Sequence, residues 1–69
     1  MNDDGVEIYF RDSAESAAHS CEMMLSQGRK AKAQEFFTTA MYYYAKVSED
    51  QFSVEFMDKM EKLRLRVYN

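Results

Sequence analysis

The sequence predicts an all-α fold, a small three-helix bundle in which an antiparallel helical hairpin is joined by a third helix. Three observations lead there. Proline is absent and glycine occurs only at Gly5 and Gly28, so little interrupts a helix and the turn-rich pattern of a β-sandwich is missing. Apolar residues recur at three- and four-residue intervals along three stretches, near 12–27, 29–47 and 49–67, the spacing of one helix face. With 46% apolar residues, the chain is too hydrophobic to be disordered.

Residues 1–11 read as a flexible or loosely packed N-terminal arm ahead of a single helical domain over 12–69. Within that arm Val6 to Phe10 forms an apolar patch, which either packs as an extended segment or prolongs the first helix backward. Asp12, with Glu15 three residues on, has the spacing of a capping box, and Ser13 is a rival cap. The first helix then carries Ala14, Ala17, Ala18, Cys21, Met24 and Leu25 on one face. Most of these are small, so a neighbour approaches closely. Gly28 sits where a helix C-terminal glycine belongs.

The second helix presents Ala33, Phe37, Ala40, Tyr44 and Val47 as its main stripe. Phe36, Met41, Tyr42, Tyr43 and Ala45 widen its apolar surface past one face, so it must be covered on more than one side. In Ser48-Glu49-Asp50-Gln51 the serine and glutamine have capping-box spacing, with Val47 and Phe52 placed to form a hydrophobic staple. The third helix follows, with Phe52, Phe56, Met60, Leu63 and Val67 inward. Lys59, Lys62, Arg64 and Arg66 fall toward its C-terminal end, where the helix dipole favours positive charge.

Gly28, Ala33, Phe37 and Ala40, preceded by Ala17, Ser20, Cys21 and Met24, fall on the spacings of a tetratricopeptide-repeat hairpin. Helices one and two resemble a single such repeat. The family's large aromatic is absent at the Ala17 position, as is its proline near Ala45, and the match covers about half the chain. Over more of its length the chain looks similar to the microtubule-interacting and trafficking domain, a three-helix bundle. That resemblance implies a groove between helices two and three, near Met57, Met60 and Leu63. Both families imply protein binding.

Size argues the same way. A chain of 69 residues buries only about three fifths of the surface it exposes when unfolded, and natural chains of this size add a disulfide, a metal or a partner. Cys21 is the only cysteine, so no intramolecular disulfide forms, no zinc-ligand set is suggested and no metal or other cofactor is expected. A partner subunit or a homodimer is left. The expected function is a protein-interaction module, an adaptor, small chaperone or inhibitor, working through the apolar surface of helices two and three. The candidate contact residues are Phe36, Tyr42, Tyr43, Met57 and Met60. Tyrosine suits interfaces, and methionine either fills an imperfect core or lines an adaptable groove.

Arg29, Lys30 and Lys32 cluster at the start of helix two and are candidates for contacting an anion. A small nucleic-acid-associated regulator using the basic clusters is the alternative reading, and a structural accessory subunit is a third. The net charge of −3 argues against nucleic acid. Catalysis is not expected: His19 lies off the Cys21 face, no carboxylates converge by spacing, and a small bundle has little room for a substrate pocket. No apolar run approaches the ~18 residues of a membrane span, and Met1 to Asp4 is acidic where a secretory signal is basic. A soluble, cytoplasmic protein is therefore expected.

Overall fold

A computed structural model describes residues 4–69. Three helices, α1 (Asp4–Ser26), α2 (Lys30–Tyr44) and α3 (Val54–Val67), pack as an up-down-up bundle, with a short 3₁₀ turn at Glu49–Gln51 before α3. No strand occurs among the described residues. The expected fold class is the one observed.

Helix α1 begins eight residues before the expected start. Asp12 is an exposed residue in mid-helix and caps nothing. The apolar patch explains this: Phe10, Ala14, Ala17 and Cys21 continue one helical stripe, and Phe10 packs on the core beside Tyr43. Residues 4–11 are therefore the opening turns of α1, and Met1, Asn2 and Asp3 lie outside the described residues. At 1.5 Å per residue the 23-residue helix is about 34 Å long. It stops at Gly28, whose φ of +74° is in the left-handed region. The Arg29 N–H donates to the Met24 carbonyl at 2.8 Å and the Gly28 N–H to Leu25 at 3.0 Å. This is the double bond of a Schellman motif, and it satisfies carbonyls a helix end would otherwise leave open.

Helix α2 ends at Tyr44, short of the expected Val47. There the hydrogen bonds tighten to three-residue loops, Lys46 N–H to Tyr43 and Val47 N–H to Tyr44 at 3.0 and 3.3 Å, and Val47 turns into the core. The Ser48–Gln51 segment closes a single turn, with the Gln51 N–H on the Ser48 carbonyl at 3.0 Å. It does not open α3 as expected. Ser53 does so instead, its hydroxyl accepting from the Phe56 N–H at 3.0 Å. Both serines are capable caps. Burial of Val47 and of Phe52 on either side of the turn leaves Ser53 as the one that heads a continuous helix.

The core draws on all three helices. Ala14, Ala18 and Cys21 from α1 meet Ala33, Phe37 and Ala40 from α2, and Phe56, Met60, Leu63 and Val67 of α3 close the third side. The alanines let α1 and α2 approach closely. Helix α3 supplies four of the large buried side chains, and full burial of such a side chain contributes about 1.5–3 kcal/mol of hydrophobic stabilisation. Helix α3 runs antiparallel to α2. Tyr44 packs at a tilt against Phe52 and Phe56 at one end, with ring centroids 4.8 and 6.0 Å apart. At the other end the Gln34 amide donates to the Val67 carbonyl at 3.0 Å. A Lys59–Glu22 ion pair at 3.4 Å links α3 to α1.

Candidate partner-binding surface

With α3 covering one side of the hairpin, the opposite side of α1 and α2 is left open. There the sequence places Tyr9, Ser13, Ser16 and Ser20 along α1 at three- and four-residue intervals, next to the buried alanine stripe. Helix α2 contributes Phe36, Thr39 and Tyr43 at the same kind of interval. Tyr9, Ser13, Ser16, Ala17 and Ser20 of α1 and Phe36 and Thr39 of α2 line an open, shallow groove of about 450 Å³, with the small residues lying between the rings of Tyr9 and Phe36. Among the described residues Asp12 is the only charged one lining it.

An aromatic cluster adjoins the groove at Tyr9. Tyr9, Phe10, Tyr42 and Tyr43 form a chain of contacts with centroids 5.2 to 6.3 Å apart. Tyr43 is half-buried at its centre, while Tyr9 and Tyr42 are 59% and 58% exposed. The Lys46 ammonium sits 4.8 Å from the Tyr42 ring centroid, a cation–π arrangement. The Tyr43 phenol is held above its ordinary range, first by the charge of the neighbouring Tyr9 phenol and then by burial and a hydrogen bond with Tyr9.

The five candidate contact residues do not share one surface. Phe36, Tyr42 and Tyr43 lie on the open side of α2. Met57 is half-buried against the core. Met60 is 3% exposed, inside the core; this corrects its reading as a contact residue, because its position on the Phe56–Leu63 stripe turns it inward. The open groove is bounded by α1 and α2, not by α2 and α3. Tyr9, Ser13, Ser16, Ser20 and Thr39 are not among the contact residues expected from the sequence. Their signal was the period linking Tyr9 to Ser13 and Ser16, which becomes visible once α1 is extended back through residue 9.

The basic cluster is divided by the helix geometry. Lys30 turns toward α3 and donates to the Asn69 carbonyl oxygen, and Lys32 pairs with Glu35 at 3.4 Å. Arg29 occupies the N-cap position of α2 and makes no side-chain cap. On α3, Lys62 pairs with Asp58 at 3.0 Å, and Arg64 pairs with Glu61. Two hollows between α1 and α3, of about 310 and 250 Å³, are lined by side chains of both signs, among them Glu15, Glu22, Glu55 and Lys59.

Cys21 is fully buried, and burial, with a smaller contribution from Glu22 and opposed by Arg66, pushes its thiol up. That favours the unreactive protonated form. His19 is exposed. Among the described residues no three His, Cys, Asp or Glu side chains converge as a metal site, and no helix is long and apolar enough to cross a membrane. No family model, curated protein or solved structure matches this chain.

Proposed function

We propose that this chain is a cytoplasmic protein-interaction module that receives a partner's helix in the groove between α1 and α2. The observation that carries the reading is the groove itself. Its row of serine and alanine between Tyr9 and Phe36 admits a close-packed helix, and rigid aromatic rings with few rotamers to freeze are the usual anchors of such contacts. None of the described helices covers that side. An adaptor, a small chaperone and an inhibitor would all use such a surface.

The test is capture of partners by the tagged protein at moderate salt, beside a Tyr43→Arg variant whose helicity is verified by circular dichroism. A protein retained in near-stoichiometric yield by the wild type and lost with the variant supports the reading. A partner indifferent to Tyr43→Arg and to Phe36→Glu removes it. Nucleic acid released by salt would favour the regulator reading, against which stands the pairing of Lys32, Lys59, Lys62 and Arg64 with carboxylates.

A further inference from the structure

The up-down-up topology sorts charge along the bundle. Residues 4–15 and 37–58, gathered at one end, include eight acidic and two basic residues, while residues 16–36 and 59–69, toward the other, include three acidic and seven basic. One end is formally −6 and the other +4, on a body 43 Å long. The groove spans the boundary between them. Its one charged residue among those described, Asp12, lies four residues from Ser16 toward the acidic end of α1. Lys32 lies four residues from Phe36 toward the basic end of α2, and Arg29 one turn further. Ser16 and Phe36 line the same groove, and four residues of helix span about 6 Å. Asp12 and Lys32 therefore stand at similar distances on opposite sides of the groove's centre.

We propose that the occupant of the groove is the same face of a second copy, packed antiparallel about a two-fold axis passing by Ser16. The inference rests on the groove reading above and names its partner. A two-fold interface must be self-complementary, each patch meeting itself reversed. This face meets that requirement three times over. Reversal sets Asp12 against the partner's Lys32, whose exposed 3.4 Å pairing with Glu35 it would share, and Arg29 over the partner's Tyr9 and Tyr43 rings. Small side chains, Ser13, Ser16 and Ser20, lie near the axis, beside the Phe36 ring, which shares the groove with Ser16 and meets its own counterpart. The acidic end of each copy then lies along the basic end of the other, which steers encounter and sets direction. The molecule's extents of 43 and 19 Å set an outer bound on this side that just reaches the ~800 Å² each partner gives to a standard interface.

Sedimentation equilibrium of the purified full chain at low salt, from micromolar concentration upward, tests this. The wild type is expected to be a dimer. Asp12→Lys and Lys32→Asp each place like charges together twice per dimer and should weaken association roughly tenfold. An equimolar mixture of the two variants restores opposite charges at both contacts and should form a heterodimer tighter than either homodimer. Ser16→Cys should cross-link copy to copy on mild oxidation. Circular dichroism of each variant establishes that the fold is retained.

A wild type that stays monomeric overturns the proposal, as does a dimer indifferent to both reversals or a mixture no tighter than its components. The groove reading fails separately. A monomeric chain that still captures a Tyr43-dependent partner excludes the second copy and keeps the groove, whereas a monomer with no such partner removes both.

Discussion

The Tyr9 ring stands edge-on to Tyr43, with centroids 6.3 Å apart and planes at 88°. This contact ties the opening turns of α1 to the last turn of α2, with Phe10 packed on the same Tyr43 ring at 5.8 Å. An edge-to-face pair contributes about 0.5–1.5 kcal/mol beyond its buried area. Tyr43→Ala is expected to cost about 2 kcal/mol in urea denaturation, as the half-buried ring and its ring contacts are lost. Its signature should be faster amide exchange over residues 7–12 than in the rest of α1. Uniform acceleration along the helix would show that the cluster does not hold that segment.

The same pair sets a pH dependence. The Tyr43 phenol binds its proton more tightly in the folded chain, chiefly because of Tyr9. Its stabilising contribution is thus complete below the unfolded-state value of about 10. It is lost as pH rises from there through the higher folded value, where the unfolded chain ionises first. Thermal melts from neutral to strongly alkaline pH should show a decline that Tyr43→Phe reduces.

At Gly28 a Cβ would meet nothing within 4 Å, and yet φ is +74°. Gly28→Ala should therefore destabilise by about 1–2 kcal/mol through the left-handed backbone alone. Gly28→Asn, which tolerates that region better, should recover part of the loss. Equal losses for the two would place the cost elsewhere.

Ser53 and Ser48 make a paired test of where α3 begins. The Ser53 hydroxyl accepts from the Phe56 N–H, so Ser53→Ala should cost about 1 kcal/mol. Ser48 contributes its backbone carbonyl to the Gln51 turn, which Ser48→Ala retains, and the change should be several-fold smaller. Chemical denaturation of the two variants decides the order.

Cys21, enclosed and with its thiol pushed up, should react with a disulfide reagent only as fast as the bundle opens. Labelling should accelerate in step with denaturant-induced unfolding, and Leu63→Ala, which leaves a core cavity costing about 2–5 kcal/mol, should raise it strongly. Rapid labelling of the native wild type would place Cys21 near the surface.

The core was legible in the sequence because helical period and burial coincide: Ala14, Ala18, Cys21, Ala33, Phe37, Ala40, Phe56, Leu63 and Val67 all fall on the expected stripes. Helix ends were less so. Asp12 and Ser48 both have cap spacing and neither caps an α-helix in the structure, since a polar residue is equally at home on an exposed helix surface or in a turn. Which cap is used depends on whether Phe10 and Phe52 find the core. The groove was legible only in part. Phe36, Tyr42 and Tyr43 stood out as surplus apolar surface, whereas a row of serines carries no hydropathy signal and gains meaning only from the aromatic rings beside it. Met60 shows the converse: composition cannot tell a methionine in a groove from one in a core, and one position on the helical wheel decides it.

The groove's row of Ser13, Ser16, Ala17 and Ser20 also has an entropic side. Alanine has no rotamers to lose, and serine has few compared with the about 1.5–2 kcal/mol forfeited by a long lysine or methionine on burial. A helix docking there immobilises little that was previously mobile, because the backbone under it is already fixed by the hairpin. Much of the ordering that association normally demands has been completed during folding, so a modest contact area can hold a partner that would shed from a surface of long, flexible side chains.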